Sequence, residues 1–553
     1  MYKPVPARPK KTDIVRSRTG CQGCRERKTK CDEQKPTCGT CARLGKVCRD
    51  RDREFRFRVT TGRAEATDRS STSQAFELTG SDGSAFADLD LIRSLQHTER
   101  DIFYSTYWEG QCLPALHPIF HSTSRHITNN VMLRDAILAL SSCNLSRLHA
   151  EQRTQSTTSM GLFSPSLIHQ TRSQLYYSSA IRRFASLNQL EYQANPTLSL
   201  TVLVLFAYIE SSMGNFHGFS CHVQGLSKLF INIHDAVLSS TFTPLLSAWM
   251  QVRFVVWWAR AYFSSIEVHQ QLPSITLPPS LNAPCTSLHE RRVTILSIMC
   301  EAHRISFQAA LKHWSSDATC PDPNPTETPN PQVLLAEQSH RLDEWLSHLP
   351  PSEQPIPPTQ STPSPAHQTN EPIIFPSHDA ALNFAYSLVA RIMTSPSFLA
   401  TLPSTNPKDL GHECSASTPF LTLLLRILSG INLHTSLVQN TYTIGFSSLL
   451  LASLLRCQDP SLSLEIQSWL QKLNDVHPTE EGAFPVYQAL RVARAVHRQR
   501  TEHGFDVFAI SLPVDDGGGW PKFSAYNSQR IEGLVLHGKW RGSGRLGEVR
   551  VWV

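Results

Sequence analysis

Six of the fourteen cysteines lie within 28 residues of one another, at Cys21, Cys24, Cys31, Cys38, Cys41 and Cys48. Their spacing is C-x2-C-x6-C-x6-C-x2-C-x6-C, so the unit C-x2-C-x6-C occurs twice. Zinc prefers four tetrahedral ligands, and thiolate sulfur is among the best of them. Six thiolates can complete two such sites only if two sulfurs each bridge both metals. The repeat therefore predicts two Zn²⁺ ions, with the first cysteine of each half, Cys21 and Cys38, as the bridges.

One zinc ion is then held by Cys21, Cys24, Cys31 and Cys38, and the other by Cys38, Cys41, Cys48 and Cys21. Six thiolates and two Zn²⁺ carry a net charge of −2, which nearby cations stabilise. Four cations stand between the second and third cysteines, namely Arg25, Arg27, Lys28 and Lys30. Four positive charges in six residues exceed what the cluster requires, so a second role is expected for some of them.

The charge of the chain is unevenly distributed. Its 553 residues carry a net charge of +6, but residues 1–60 hold 18 Lys and Arg against 7 Asp and Glu, a balance of +11 that leaves the remainder at −5. A basic head predicts a polyanionic partner. The N-terminus has no apolar signal segment, and the apolar runs, such as residues 198–209, are about half as long as a membrane span. These features predict an intracellular protein with reduced thiols and no membrane partner.

This pattern resembles the fungal zinc binuclear cluster family of transcription factors. The resemblance covers residues 16–50 and rests on the six cysteines, the basic run between the second and third of them, and Pro36 in the connecting loop. It implies a nuclear protein that binds double-stranded DNA with two zinc ions. A disulfide knot is less suited to an intracellular compartment, where thiols stay reduced. A RING domain and a zinc ribbon have a different ligand spacing.

The resemblance also assigns DNA contacts. It implies that Lys28 reads base edges, with Arg27 beside it, and that the triplet read is of the CGG type. Guanine presents two acceptors in the major groove, which suit lysine or arginine. It further implies that Arg25, Lys30 and Arg43 face phosphates, which fix register rather than sequence. Arg18 extends the basic track upstream, as a phosphate contact or part of a nuclear address.

The rest of the chain divides by composition. We expect a basic tail at 1–15, the cluster at 16–50, and an extended segment and flexible linker at 51–89. Residues 53–59 alternate as a strand does, which predicts either an extended segment that docks on the body or a disordered basic arm. The flexible linker follows at residues 60–88. No apolar heptad of the coiled-coil type precedes residue 90, so the chain is either a monomer or a homodimer through its body.

A helical period begins near residue 90 and predicts a large all-α domain over 90–510. Helices are expected at 130–149, 165–188, 197–212, 217–233, 243–264, 290–313, 333–348, 378–396, 418–437, 443–457, 462–475 and 484–502. Pro-rich loops at 315–332 and 350–377 interrupt this domain. The arrangement resembles the fungal transcription factor regulatory domain, which implies contacts with transcriptional coregulators. Residues 511–553 form a C-terminal tail with a β-hairpin at 534–540 and 548–553.

Two further motifs are weak. Residues 542–547 fit G-x-G-x-x-G, but too few residues follow for a dinucleotide-binding unit. Residues 218–222 resemble a nucleophile elbow without its last glycine. With no catalytic constellation, the sequence predicts a non-enzymatic regulator of RNA polymerase II genes, metabolic or secondary-metabolite genes among the candidates. The alternatives are an enzyme with a DNA-binding head and a structural chromatin binder.

Overall fold

The computed structural model describes residues 21–27, 29, 31, 32, 34, 37–46, 48, 97–124, 130–149, 151–153, 162–233, 242–262, 264–281, 287–315, 330–357, 371–402, 416–476, 480–482, 485–513 and 533–552. The chain divides into two compact units, Met1–Gly83 and Ser84–Val553. The described part of the first unit contains two short helices, α1 (Gln22–Glu26) and α2 (Gly39–Arg43). The predicted strand at 53–59 lies outside the described residues.

The second unit is mainly helical where it is described. Its helices are α3 (His97–Tyr107), α4 (Ile119–Ser124), α5 (Val131–Leu148), α6 (Leu167–Ala185), α7 (Gln189–Ala194), α8 (Pro196–Met213), α9 (Phe216–Ile233), α10 (Phe242–Tyr262), α11 (Ile266–Gln270), α12 (Leu288–Ser315), α13 (Pro331–Ser347), α14 (His378–Thr394), α15 (Ser397–Thr401), α16 (Thr418–Ser429), α17 (Leu433–Gln439), α18 (Phe446–Leu454), α19 (Pro460–Val476) and α20 (Val486–Glu502). A π-helical turn at Trp108–Cys112 follows α3, and 3₁₀ turns occur at Leu113–Ala115, Pro279–Leu281 and Pro351–Glu353.

Polar side chains define where several helices begin. Asn130 accepts a hydrogen bond from the backbone N–H of Leu133 at the start of α5. Asn188 and Glu191 form a reciprocal capping box on α7. Ser377 accepts from the N–H of Ala380 at the start of α14. Each cap satisfies an N–H that the first helical turn leaves unpaired, so these short polar residues determine the helix starts.

The core lies among the central helices. α5 packs against α6 and α8, and α12 packs against α10, α13 and α14. α8 and α10 are buried on most of their faces, with large side chains such as Phe206, Trp257 and Trp258 in the same hydrophobic cluster. α8 is long and apolar enough to cross a membrane, although the apolar run at 198–209 within it is shorter than a membrane span. The bent pair α16–α17 is also long and apolar enough when its two helices are taken together. However, 72% of the apolar stretch in α8 is buried within the unit, as in the core helix of a bundle.

The second unit also contains a small antiparallel sheet. Strands β3 (Phe505–Ser511), β4 (Gly533–Trp540) and β5 (Leu546–Trp552) pair in the order β3-β4-β5, and β1 (Glu151–Arg153) and β2 (Leu162–Ser164) form a separate hairpin. β3 packs against α20, and Phe505, Val507 and Leu536 belong to the main core. Residues 533–552 are therefore integrated in the body and do not form a detached tail.

The sequence prediction of a large helical domain behind a small cluster is confirmed at the level of fold class. Two details differ. The helix expected at 418–437 is two helices, α16 and α17, because the chain bends by 99° between them. β3 was not predicted, since all seven of its residues are buried and show no alternation.

Candidate metal centre

Both short helices of the first unit begin next to a cysteine. α1 starts after Cys21 and contains Cys24, and α2 starts after Cys38 and contains Cys41. The Cys38 sulfur accepts the backbone N–H of Cys41 at 3.4 Å and so caps α2. The C-x2-C spacing therefore places one thiol at the cap and the next inside the first turn, on the same side of the helix.

The six sulfurs form two overlapping groups. The sulfurs of Cys21, Cys24, Cys31 and Cys38 all lie within 4.8 Å of one another, and the same holds for Cys21, Cys38, Cys41 and Cys48. Cys21 and Cys38 belong to both groups, and their sulfurs are 3.7 Å apart. Five of the cysteines are buried and Cys48 is partly buried. Two tetrahedral thiolate sites with two shared sulfurs fit this arrangement.

A carboxylate joins the two halves of the cluster. Asp32 follows Cys31 in the first half, and its Oδ2 and Oδ1 accept the backbone N–H of Gly39 at 2.9 and 3.1 Å. Gly39 is the first residue of α2, where an acceptor is favoured. A Cβ at position 39 would lie 2.5 Å from Asp32 Oδ2, so a larger residue there would displace the Asp32 carboxylate from this position.

Further hydrogen bonds reach the sulfurs from backbone and side chain. The Cys38 N–H donates to the Cys48 sulfur at 3.4 Å, and Arg27 Nη2 donates to the Cys41 sulfur at 3.3 Å. A hydrogen bond from the Cys24 backbone lowers the pKa of the Cys21 thiol, whereas burial raises the pKa of the Cys41 thiol. Donors directed at sulfur favour the thiolate, which is the form that binds metal.

The comparisons with known proteins address this segment. Residues 19–56 match the family model of the fungal Zn(2)-Cys(6) binuclear cluster domain. The chain contains a fungal Zn(2)-Cys(6) binuclear cluster domain. Two zinc ions are the cofactors of this domain, as the cysteine repeat predicted, and the two groups of four sulfurs fit them.

Curated relatives match over the same short region. The transcription activator AMTR1 of Alternaria alternata is 59% identical over 34 residues, which is 6% of this chain and 4% of that protein. White-opaque regulator 2 of Candida albicans is 61% identical over 33 residues, 6% of this chain and 7% of that protein. A lysine biosynthesis regulatory protein of Saccharomyces cerevisiae is 59% identical over 32 residues, 6% and 4% of the two chains. The chain thus spans 4–7% of the length of these relatives, and no solved structure matches it significantly.

The structure describes some of the predicted DNA-contacting cations. Arg43 is exposed at the end of α2, and Arg27 is partly buried with its guanidinium on Cys41. Arg25 lies in α1, but its side chain is outside the described residues, as are Arg18, Lys28 and Lys30. Sequence reasoning missed the Asp32–Gly39 link and the contact of Arg27 with the second half. An acidic residue directly after the third cysteine was the available signal for the former.

The remaining motifs have structural explanations. Residues 218–222 lie inside α9, so they form no strand-to-helix elbow. Gly542 and Gly544 belong to the turn between antiparallel β4 and β5, where Gly544 has a φ of 64° and its N–H donates to the Trp540 carbonyl at 2.8 Å. Gly547 lies in β5 and pairs with Gly538. Cys112, Cys143, Cys300 and Cys457 are buried, and Cys221 is partly buried.

Proposed function

We propose that the chain is a zinc-dependent, sequence-specific DNA-binding transcription factor. The observation that carries this proposal is the pair of overlapping four-sulfur groups in a domain whose sequence also holds the basic run from Arg25 to Lys30. The relatives that match this segment are named as a transcription activator and regulators, which supports the same role. The excess of positive charge in residues 1–60 supports a polyanionic partner.

Within the cluster, we assign Cys21, Cys24, Cys31 and Cys38 to one zinc ion and Cys38, Cys41, Cys48 and Cys21 to the other. This assignment follows the two groups of neighbouring sulfurs. The ions supply folding free energy, and the six thiolates leave the cluster with a net charge of −2 that nearby cations balance. Arg27 is placed to do so, because its guanidinium donates to a sulfur of the second group.

Base recognition is assigned to Lys28, with Arg27 next to it, at a CGG-type triplet in the major groove. Lys28 carries a point charge with three donors, and guanine offers N7 and O6 as acceptors. Arg25, Lys30, Arg43 and Arg18 are assigned to phosphates, where they increase affinity without adding sequence choice. The exposure of Arg43 at the end of α2 is consistent with such a contact.

The proposal extends to the whole protein. The factor acts in the nucleus on genes transcribed by RNA polymerase II, and its helical body regulates activity through coregulators or as a homodimer. Its targets are a set of fungal genes, metabolic or secondary-metabolite genes among them. No enzymatic activity is part of this proposal.

DNA binding by the zinc-loaded chain tests the main proposal. We expect a duplex containing CGG triplets to bind more tightly than a duplex of the same length and composition in scrambled order. Zinc removal by a chelator should abolish the difference, because such clusters fold only with metal. Equal affinity for both duplexes, with a steep dependence on salt, would instead indicate a structural chromatin binder.

Substitution of Lys28 tests the base-reading assignment. Lys28→Ala should lose about 1–3 kcal/mol of discrimination against a changed guanine. Arg43→Ala should weaken binding to all sequences alike and reduce the slope of log K against log[salt] by about 1. Competition binding with single-base variants of the site measures both effects. A Lys28→Ala protein with unchanged preference at every base would refute the assignment.

A further inference from the structure

The second unit contains a cavity of about 220 Å³ that the proposed function does not use. Four arginines line it: Arg100 from α3, Arg134 from the first turn of α5, and Arg172 and Arg183 from α6. Asp135 is the one acidic residue among the described residues of the lining. The described wall therefore carries a formal charge of +3, in a unit that belongs to the mildly acidic part of the chain.

The single carboxylate balances only part of this charge. Asp135 is buried, and its Oδ2 accepts the Ser179 hydroxyl at 2.7 Å and lies 3.4 Å from Arg183 Nε. Its Oδ1 is 3.9 Å from Arg134 Nε, which is too far for a hydrogen bond. Among the residues that the structure describes, the buried Arg134 Nε has no hydrogen-bond partner.

Arg100 and Arg172 are not close to Asp135 or to another carboxylate of the described residues. Within the part of the chain that the structure describes, neither Arg100 nor Arg172 has a carboxylate within 4.0 Å. Both are partly buried, so bulk water screens their charge less than it would on an open surface. Like charges around one cavity repel one another and so destabilise the protein without ligand, and a bound anion would reduce that repulsion.

The helices that carry the arginines are joined to one another by hydrogen bonds. Arg172, Tyr176, Ser179 and Arg183 follow one another at steps of three or four residues, so they share one face of α6. The Tyr176 hydroxyl donates to Asp101 Oδ1 at 2.6 Å, which links α6 to α3, and the Ser179–Asp135 bond links α6 to α5. The cavity thus has walls from three helices that are joined by hydrogen bonds.

We propose that this cavity is a binding site for a small, multiply charged oxyanion of the phosphate or polycarboxylate class. Guanidinium groups bind carboxylate and phosphate through two parallel hydrogen bonds, which lysine cannot supply. The volume is near the lower limit of small-molecule sites, so it suits a compact metabolite rather than a nucleic-acid duplex. A ligand here would join α3, α5 and α6 and so stabilise the helical body.

Thermal unfolding of the full, zinc-loaded chain tests the proposal. All ten tryptophans lie between Trp108 and Trp552, so their fluorescence reports the second unit. Inorganic phosphate and citrate are titrated to 10 mM while sodium chloride keeps the ionic strength constant. We expect at least one of them to raise the melting temperature by about 1–3 °C with saturation, and the arm that responds distinguishes phosphate from carboxylate chemistry.

Variants locate the effect. Arg100→Gln combined with Arg172→Gln should weaken the response at least about tenfold, since each removes charge-assisted hydrogen bonds. It should leave the melting temperature without ligand unchanged or higher, because like-charge repulsion is relieved. Arg182→Gln combined with Arg498→Gln is the matched control, since both arginines are exposed and lie outside the cavity. If the Arg100→Gln, Arg172→Gln variant does not fold, Arg172→Lys replaces it in the experiment. Lysine keeps the positive charge but cannot make the two parallel hydrogen bonds of a guanidinium group, so this variant should bind the anion more weakly.

Three outcomes would overturn the proposal. The first is no stabilisation by phosphate or citrate beyond the sodium chloride control. The second is an equal response of the cavity variant and the control variant. The third is stabilisation by heparin alone, which would indicate a surface for long polyanions rather than a site for small ones.

Discussion

At the residue scale, the cations around the cluster divide into different roles. Arg27 and Arg43 are both arginines of the same domain, yet Arg27 Nη2 contacts the Cys41 sulfur, whereas Arg43 is exposed. Arg27 belongs to the first cysteine repeat and Cys41 to the second, so this bond connects the two halves. Groups that donate to metal ligands commonly affect metal affinity by 10- to 100-fold.

Arg27→Gln should therefore weaken zinc retention. We expect zinc to transfer to a chromogenic chelator about tenfold faster than from the unsubstituted chain. Arg27→Lys should lie between the two, since it keeps the charge without the planar fork. Arg43→Gln is the control and should release zinc at the original rate. Equal rates for Arg27→Gln and Arg43→Gln would show that Arg27 does not support the cluster, whatever its role toward DNA.

At the element scale, α18 depends on a cap from a distant segment. Its N-cap residue is Gly445, which has no side chain, and the carboxylate of fully buried Glu481 takes the place of one. Glu481 accepts the N–H groups of Phe446 and Ser447, both at 2.8 Å. Hydroxyl and amide groups of Ser447, Ser436 and Asn440 also donate to it. A carboxylate at a helix N-terminus with several donors is stabilising despite its burial.

Glu481→Ala should destabilise the second unit by at least about 3 kcal/mol, because it leaves several buried donors without an acceptor. Glu481→Gln should cost less, since one amide oxygen still accepts. Urea unfolding followed by tryptophan fluorescence measures the shift in midpoint. Glu465→Ala, at an exposed position of α19, is the control and should stay within about 0.5 kcal/mol of the unsubstituted chain.

This cap also shows what the sequence predicts and what it omits. Periodicity located helices such as α14 and α20 to within about two residues, and cysteine spacing identified the sulfurs shared between the two groups. The groups that donate to Glu481 are at least 34 residues away along the chain. Local sequence patterns do not predict contacts between residues so far apart. The same applies to the arginine cavity, whose lining comes from three helices. The helical period continues across 418–437 because apolar residues also occur at the bend, so the sequence predicted one helix where the structure has two.

At the scale of the whole molecule, buried neutral histidines make stability depend on pH. His117 is buried, and its Nδ1 accepts the Ile119 N–H at 3.2 Å, which requires that nitrogen to be unprotonated. Burial, followed by the proximity of His289 and of the Arg292 guanidinium, lowers the pKa of His117 to about 2. Burial likewise lowers the pKa of His169 to about 4. Both histidines protonate more readily in the unfolded chain, near pH 6.5.

Between pH 6.5 and the folded pKa, the unfolded chain binds more protons, so the free energy of unfolding falls as the pH falls. We expect the melting temperature of the second unit to decrease from pH 6.5 to pH 5, above the range in which most carboxylates titrate. Each such histidine contributes a slope of up to about 1.4 kcal/mol per pH unit. His117→Asn keeps an acceptor for Ile119 and should flatten the slope by that amount.

Exposed His503→Asn is the matched control, and its slope should equal that of the unsubstituted chain. Zinc loss in acid is followed separately by a chelator, and because no tryptophan precedes Trp108, it does not enter the fluorescence signal directly. If His117→Asn and His503→Asn show the same slope, His117 is not neutral in the folded state, and the acid sensitivity of the body has another origin. A flatter slope for His117→Asn alone assigns that share of the sensitivity to the buried imidazole.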